Sequence, residues 1–375
     1  MNILFVMPTL GSGGAENALT QLVNSYSKLH CEDTITVLTL FDVGRYREQL
    51  ATEVCYRYVF KKMFRGNIHI FKCFSPKFLY KHMIKKKYDL IVSYLEGPTT
   101  RIVSGCPENV ILINWIHTSS TSENVLLKSY RSRNEYSTCM KKYNKTIFVA
   151  ESAKELFTNT FPELGDLDMD VIYNPINDKE IRSKKTESVN CSFPDDTFNI
   201  VAVGRLSKVK GFDRLIRVCV KLKKIYNIRL YIIGGGEKSV LQKLIQENKA
   251  DSYIKLLGYY ENPYPLISQA SLFVCSSYRE GYSTSVIESL ILGVPVVTTL
   301  CSGMKEILGS NNQYGLIVDN SEDGLYEGIV KMISKKEIYE YYRGEAIKRG
   351  QEFSLEKGVA AVSELFNKYY DRTIQ

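Results

Sequence analysis

The 375-residue sequence predicts an α/β protein with two doubly wound domains that face each other across a cleft. Three observations lead to this prediction. Short β-rich runs alternate with amphipathic stretches, which is typical of parallel sheets with helical crossovers. The alternation starts again after Asn174, and the chain is long enough for two cores. Ligands of such folds bind beyond the carboxyl ends of the strands, so we expect one ligand to be shared by both domains.

The apolar runs predict strands in both halves of the chain. In the first half they are Ile3–Met7, Thr34–Leu40, Leu90–Tyr94, Val110–Asn114 and Thr146–Val149. In the second they are Asn199–Val203, Arg229–Ile233, Tyr253–Leu256, Leu272–Cys275, Pro295–Thr298 and Leu316–Val318. Residues 174–197 are polar and are predicted to form the interdomain linker. We therefore expect domains at 1–173 and 174–354, with a C-terminal helix over 355–375 that packs back on the first.

The composition excludes several classes of protein. Hydrophobic residues make up 44% and charged residues 24% of the chain, so it is neither disordered nor of low complexity. No stretch has the length of uncharged apolar sequence that a membrane-spanning helix needs. The opening MNILFVMPTL is expected to be a strand, not a secretory signal. The nine dispersed cysteines fit free thiols in a reducing compartment, so a cytoplasmic location is expected.

The net charge of +8 is concentrated in residues 54–88, which we call the basic segment. It contains ten Lys or Arg residues, no Asp or Glu, and nine aromatic residues. This pattern predicts reversible docking on an anionic membrane surface, with shallow insertion of Phe71, Phe74 and Phe78. A solvated basic face over an ordinary core is the alternative. Nucleic-acid binding is a weaker one, because no recognised nucleic-acid-binding module is present.

Glycine-rich loops follow the first strand of each domain. Gly11-Ser12-Gly13-Gly14 precedes a predicted helix, where backbone amides and the helix dipole attract an anion. In the second domain, Gly204-Arg205 begins the corresponding loop and Lys210-Gly211 ends it. These two cations would suit a diphosphate. The alternatives are a tight turn in the first case and solvated surface charge in the second.

Two glutamates bracket another predicted helix start. Glu280 lies in the loop after the strand that ends at Cys275, and Glu288 lies about one turn into the helix. The free amides around Thr284 and Ser285 would point at an anion. A capping box, Ser285-x-x-Glu288, is the structural alternative for the second glutamate.

In order and spacing, these motifs resemble the retaining GT-B glycosyltransferases of family 4. The resemblance runs from Asn2 to about Leu365. It rests on the Gly-Gly-Ala-Glu loop, on Gly-Arg-Leu followed by Lys-Gly, and on Glu280-x7-Glu288. It is strongest to bacterial enzymes that add sugars to lipid-linked oligosaccharides for O-antigen, capsule or glycoprotein glycans.

The resemblance implies a role for each site residue in two Rossmann-like domains. Arg205 and Lys210 would hold the donor diphosphate, Glu288 the ribose, and Glu280 and His117 the donor sugar. The remaining residues implied to bind donor or nucleotide are Gly13, Gly14, Gly204, Tyr259, Tyr282, Ser283, Thr284 and Ser285. Tyr282-Ser283-Thr284 departs from the commoner Phe-Gly or Leu-Pro of the family, which leaves the donor sugar open.

The implied reaction moves a sugar, with retention at the anomeric carbon, from a nucleotide diphosphate sugar to an acceptor hydroxyl. The donor is expected to be a UDP-sugar, and the acceptor an undecaprenyl-diphosphate-linked or similar glycan at the inner face of the cell membrane. The two cations would replace a divalent metal, so no metal or cofactor is expected. The alternatives are a nucleotide-sugar epimerase of the same architecture and a non-catalytic nucleotide-sugar-binding protein.

Overall fold

The computed structural model describes residues 1–11, 13–107, 109–117 and 126–374, with side chains up to residue 370. It divides into two compact units. The first unit is Met1–Ile176 together with the C-terminal helix from Leu355, and the second unit is Asn177–Ser354. The division lies three residues beyond the predicted boundary.

The first unit is built on a parallel sheet with the strand order β3-β2-β1-β4-β5-β6-β7. Its strands are β1 Asn2–Met7, β2 Thr34–Phe41, β3 Cys55–Phe60, β4 Leu90–Ser93, β5 Ile111–Ile116, β6 Lys145–Phe148 and β7 Met169–Val171. Its helices are α1 Gly14–Leu29, α2 Asn67–Cys73, α3 Pro76–Met83, α4 Pro98–Val103, α5 Arg133–Met140 and α6 Glu151–Thr160. The central strands are buried apolar runs, as expected for a sheet covered on both faces.

The second unit repeats this plan on a parallel sheet with the order β10-β9-β8-β11-β12-β13. Its strands are β8 Phe198–Val203, β9 Ile228–Ile233, β10 Ile254–Gly258, β11 Leu272–Cys275, β12 Val296–Thr299 and β13 Leu316–Val318. Its helices are α7 Asp178–Lys184, α8 Phe212–Lys223, α9 Ser239–Glu247, α10 Tyr264–Ser268, α11 Thr284–Ile291, α12 Met304–Leu308, α13 Glu322–Ser334 and α14 Lys336–Gly350. In each sheet, successive strands are first added on one side of the first strand and then on its other side. The loops after β1 and β8 therefore lie at a topological switch point.

The C-terminal helix α15, Leu355–Ile374, packs against α1 of the first unit. Phe366 is fully buried, and its ring lies 5.6 Å from that of Tyr26 and 6.0 Å from that of Phe5. His30 Nε2 also forms a 2.9 Å hydrogen bond with Ser363 Oγ. The final helix is therefore part of the core of the first unit, in agreement with the sequence prediction.

The predicted strands are all present, but the sequence analysis missed two strands and one helix. β3 and β7 are edge strands, and neither has an uninterrupted apolar run. The predicted linker 174–197 contains α7, whose Asn177 cap accepts a 3.1 Å hydrogen bond from the Glu180 amide. Ile181 buries the apolar side of this short helix. Among the described residues, no helix combines the length and apolar character needed to cross a membrane.

Candidate active site

The loops that follow β8, β9 and β10 are joined by backbone hydrogen bonds at the carboxyl edge of the second sheet. Gly204 donates to Ile233 at 2.9 Å, Leu206 to Gly235 at 2.8 Å, and Gly234 to Gly258 at 2.8 Å. A Cβ atom on Gly234 would lie only 1.8 Å from the Gly204 carbonyl oxygen. Gly234 is therefore needed for the loops to approach each other, which is a structural reason for part of the run Gly234-Gly235-Gly236 after β9.

Lys210 and Glu280 form the charged centre of this edge. Lys210 Nζ lies 2.7 Å from Glu280 Oε1, and the two side chains are 25% and 11% exposed. The aliphatic part of Lys210 runs over Gly204, where an added Cβ would meet Cε at 3.1 Å. Burial alone would lower the pKa of Lys210, but the negative charge and hydrogen bond of Glu280, with contributions from two cysteines, raise it overall. The ammonium group is thus held charged and in one place.

The loop that carries Glu280 is fastened by Arg214, a residue that the sequence analysis missed. Arg214 is 1% exposed and donates to the Ser276 carbonyl from Nε at 2.9 Å and from Nη2 at 2.7 Å. Its guanidinium also stacks on the Tyr278 ring, 3.9 Å from the ring centroid. Ser276 Oγ donates to the Lys210 carbonyl at 2.9 Å, and Ser277 Oγ donates to Glu280. The positions of Lys210 and Glu280 therefore depend on one shared network.

Helix α11 begins at Thr284, close to the predicted start, with Ser283 as its N-cap. Ser283 is buried, its side chain caps no backbone amide, and its Oγ lies 3.2 Å from Ser285 Oγ. The capping-box interpretation of Ser285 and Glu288 is wrong, because Ser285 is already the second helical residue and Glu288 the fifth. The first-turn amides have no side-chain cap, so a bound anion can accept from them.

Glu288 carries a carboxyl group with no ion pair or side-chain hydrogen bond to any described residue. The residue is partly buried, and burial raises the pKa of its carboxyl group to about 7. A raised pKa without a protein partner is the pattern expected of a group kept for a ligand.

Arg205, Tyr259 and Tyr282 also belong to loops at the carboxyl edge of the second sheet. Arg205 is exposed and makes no ion pair with a described residue, so its charge is available to an anion. Tyr259 is 45% exposed, and its Cβ would lie 3.6 Å from a Cβ atom added to Gly235. The loop at Tyr282 packs on Gly303, whose added Cβ would meet the Gly281 carbonyl oxygen at 2.5 Å. The structure thus places every predicted second-domain residue in loops at this edge or in the first turns of α11.

In the first unit, the glycine-rich loop already faces a carboxylate. Gly13 is the N-cap of α1, and a Cβ atom added to it would lie 2.3 Å from Glu16 Oε2. A Cβ on Gly11 would lie 3.2 Å from Glu16 Oε1. The Glu16 side chain therefore lies against Gly11 and Gly13, and the binding of a ligand by Gly13 and Gly14 stays a prediction.

His117 lies one residue beyond β5, in a cluster of unsatisfied polar groups. Among the described residues, neither ring nitrogen has a partner in hydrogen-bond geometry, although the nearby Tyr94 backbone acts to raise its pKa. Burial outweighs that effect and lowers the pKa of His117 to about 3, so the imidazole is neutral at physiological pH. Its backbone amide donates to Glu96 Oε2 at 2.9 Å. Tyr94 Oη and Trp115 Nε1 are also buried and have no hydrogen-bond partner in the part of the chain that the structure describes. Buried polar groups of this kind normally have a partner, which a ligand or ordered water can supply.

Two acidic groups bear on the expectation of a metal-free enzyme. Asp166, Asp168 and Asp170 form an Asp-x-Asp-x-Asp run that the sequence analysis overlooked. Lys145 Nζ lies 2.6 Å from Asp168 and 3.5 Å from Asp170, and Tyr369 donates to Asp168, so this run is engaged in structural contacts.

The other acidic group is a cluster of His30, Glu32 and Asp33, the one set of described residues with three metal-binding atoms in reach of each other. Both groups belong to the first unit, whereas Lys210 belongs to the second. The metal-free expectation stays a prediction.

Comparison with known proteins agrees with this geometry. Residues 183–349 match the family model described as glycosyl transferases, group 1. The chain therefore carries a glycosyltransferase domain, and the matched region contains all the second-domain site residues discussed above.

Two curated relatives match about half or less of the chain. One is the N-acetylgalactosamine-N,N'-diacetylbacillosaminyl-diphospho-undecaprenol 4-alpha-N-acetylgalactosaminyltransferase of Campylobacter jejuni, 33% identical over 187 residues, which are 49% of this chain and 49% of that protein. Another is the O-antigen biosynthesis glycosyltransferase WclY of Escherichia coli, 29% identical over 161 residues, 42% of this chain and 43% of that protein. The chain thus spans about half or less of the length of these relatives.

Solved structures match both units. Anabaena Alr3699/HepE in complex with UDP and glucose superposes with a TM-score of 0.77 at 17% identity, over 98% of this chain and 99% of that one. Sucrose-phosphate synthase from Thermosynechococcus elongatus gives 0.78 at 15% identity, over 99% and 100%. The predicted class, two Rossmann-like domains of the GT-B glycosyltransferases, is confirmed. The retaining course and the family number stay predictions.

Proposed function

We propose that this protein is a retaining glycosyltransferase that moves a sugar from a nucleotide diphosphate sugar, with UDP as the expected nucleotide, to a hydroxyl group of a lipid-linked glycan acceptor. The observation that carries the proposal is the Lys210–Glu280 pair, held at 2.7 Å inside the region that matches glycosyl transferases of group 1. The acceptor class follows from the lipid-linked substrate in the name of the Campylobacter jejuni relative and from the O-antigen role of WclY.

Lys210, Arg205 and the start of α11 are proposed to bind the donor diphosphate. When the bond from the anomeric carbon to the diphosphate oxygen breaks, negative charge develops on the leaving group. A fixed ammonium group, a free guanidinium and uncapped amides of Thr284 and Ser285 stabilise this charge without reorganisation. They also make a divalent metal unnecessary for that step, in keeping with the metal-free expectation.

Glu288 is proposed to hold the ribose of the nucleotide. An ionised carboxylate accepts hydrogen bonds from two neighbouring hydroxyl groups, and this one has no competing protein donor among the described residues. Tyr259, with its exposed ring beside the Gly235 loop, would cover the base. Gly204 lets the Lys210 side chain lie flat against the loop, which is its part in the site.

Glu280, Tyr282 and His117 are proposed to contact the donor sugar, and Gly13 and Gly14 to lie near the acceptor. Glu280 would exchange part of its bond with Lys210 for sugar hydroxyls when the diphosphate arrives. The neutral His117 ring can donate one hydrogen bond and accept another, which suits a sugar hydroxyl. The acceptor hydroxyl would lose its proton to the departing phosphate as it attacks from the same face.

The basic segment is proposed to dock the protein on the anionic inner face of the cell membrane, where a lipid-linked acceptor would be met. The expected insertion of Phe71 into a membrane is wrong, because Phe71 is 4% exposed and belongs to the core. Phe74 and Phe78 are 41% and 44% exposed, and shallow insertion into the membrane is proposed for these two side chains.

A panel assay tests the proposed reaction against its two alternatives. Purified protein is incubated with UDP-, GDP- and dTDP-sugars, with and without a short lipid-diphosphate glycan, and the products are identified by mass spectrometry. The proposal expects a longer glycan and free nucleoside diphosphate only when the acceptor is present. An isomerised donor without acceptor would show an epimerase, and nucleotide binding without any product would show a binding protein.

A further inference from the structure

A cavity of about 540 Å³ lies beside β3, the edge strand of the first sheet. One wall is formed by residues 55–59 of β3. The other is formed by residues 82–86 and Tyr88, at the end of α3 and in the segment that leads to β4. Both walls belong to the basic segment and to the first unit. None of the residues placed in the proposed reaction lines it, so the site is separate from the transfer site.

The charge of this cavity is entirely positive or neutral. Its lining includes Arg57, Lys85, Lys86 and His82, and no Asp or Glu. The two lysines and the arginine are exposed, and none forms an ion pair with a described residue. Three like charges at one concave surface create a positive potential that attracts an anion. Tyr56 and Tyr58 belong to the same wall, and the Tyr56 hydroxyl is already engaged, since it donates to Asp42 Oδ1 at 3.0 Å.

An aromatic strip leads from the solvent to this cavity. Phe74 and Phe78 stack with ring centroids 4.9 Å apart, and the His82 ring stacks on Phe78 at 4.0 Å. Phe78 and His82 are four residues apart on one side of α3, and Phe74 lies in the extended backbone just before that helix. His82 belongs to both features, because its ring ends the strip and lines the cavity. The surface is therefore amphipathic, with exposed phenyl rings at one end and unpaired cations at the other.

We propose that this cavity binds the phosphate of an anionic membrane lipid, with the glycerol and upper acyl region lying along Phe74 and Phe78. A phosphodiester headgroup would supply the negatively charged partner that Arg57, Lys85 and Lys86 do not have among the described residues. Arg is well suited to bind phosphate oxygens through two donors. The adjoining rings of Phe74 and Phe78 favour a lipid over a free phosphate, because a free phosphate has no apolar part to contact them. This proposal rests on the proposed membrane docking and adds a defined headgroup site to it.

The test compares two double variants with the same change in charge. Arg57→Glu with Lys86→Glu alters the cavity, and Lys62→Glu with Lys77→Glu alters exposed lysines of the basic segment outside its lining. Each full-length protein is sedimented at low salt with vesicles of phosphatidylcholine alone or of phosphatidylcholine with phosphatidylglycerol. Glycerol 1-phosphate and inorganic phosphate are titrated separately by calorimetry, and circular dichroism with a thermal melt checks that all proteins are folded.

The proposal expects the wild type to bind only the vesicles that contain phosphatidylglycerol. The cavity variant should bind them at least about tenfold more weakly than the matched control variant. Diffuse electrostatic attraction would weaken both variants about equally, so a difference between them indicates a defined site. Equal weakening of both variants would overturn the headgroup site and leave the docking proposal standing. No binding of the wild type to anionic vesicles would overturn docking itself, and with it the lipid site.

Two further results would also overturn the lipid assignment. One is binding of the soluble phosphates at the cavity without any binding of vesicles, which would show a soluble ligand. The other is tighter binding of a single-stranded oligonucleotide than of anionic vesicles at the same salt concentration, lost in the cavity variant, which would show a nucleic-acid site. Sugar transfer to a soluble acceptor should be unchanged in the cavity variant, so failure of this site is distinguishable from failure of the proposed reaction.

Discussion

Glu288→Gln should make the protein more stable at alkaline pH and weaken its binding of the nucleotide product. Burial raises the pKa of Glu288 from 4.5 to about 7 in the folded protein, so folding favours the protonated carboxyl group. Stability from this group is complete below the unfolded pKa and is lost as pH rises through the folded value. A shift of this size corresponds to at most about 3 kcal/mol, and partial exposure of the residue makes the real figure smaller. Glutamine removes this loss because it does not ionise.

Thermal melts across the pH range measure the effect. Below about pH 4.5 the wild type and the variant should melt together, and near pH 8 the variant should melt higher. Calorimetric titration with UDP at the alkaline end should show weaker binding by the variant, since an amide accepts from the ribose hydroxyls less well than a carboxylate does. A variant that is less stable than the wild type at every pH, with unchanged UDP affinity, would refute the assignment and restore a purely structural role for Glu288.

Three other substitutions test the diphosphate site. Lys210→Met should lower the transfer rate by ~10²–10³-fold, as expected for the loss of one charge-stabilising donor. Lys221→Met, on the exposed side of α8, is the control and should leave the rate unchanged. A rate near that of the wild type for Lys210→Met would exclude Lys210 from the reaction. Arg205→Ala should also slow transfer by about two orders of magnitude while the melting temperature stays unchanged, because its side chain is exposed and forms no ion pair with a described residue. A large drop in stability would contradict this placement. Arg214→Met should cost about 1–3 kcal/mol of unfolding free energy in denaturant titrations, since the buried Ser276 carbonyl loses both donors, and an unchanged midpoint would show that the loop is held by other contacts.

The sequence was sufficient for the alternation of strands and helices, because buried parallel strands are continuous apolar runs and most helices are amphipathic. It was insufficient for β3, because the CYRYVF run contains a charged residue. This strand lies at the sheet edge, where side chains are partly exposed and need not be apolar. It was also insufficient for α7, because a helix of seven residues with one buried side chain, Ile181, has too little periodicity to detect.

In the candidate site, the residue types and their order were readable, but their pairing was not. Lys210 and Glu280 are 70 residues apart in sequence, and only the parallel sheet brings them to 2.7 Å. Glu16 was seen only as part of a motif, whereas its carboxylate occupies the space in front of Gly13. Arg214 has the appearance of an ordinary helix cation, and nothing in the sequence shows that it is 1% exposed. Such features depend on tertiary contacts that local patterns do not encode.

The stereochemistry of sugar transfer tests the central claim most directly. The protein is incubated with the donor that supports turnover, a soluble analogue of the lipid-diphosphate acceptor and no added metal, and the anomeric proton and carbon of the new glycosidic bond are followed by NMR. The account predicts that the first product formed has the same anomeric configuration as the nucleotide sugar, and that Lys210→Met slows its appearance without changing the configuration. A product of inverted configuration, or conversion of the donor sugar with no bond to the acceptor, would contradict it.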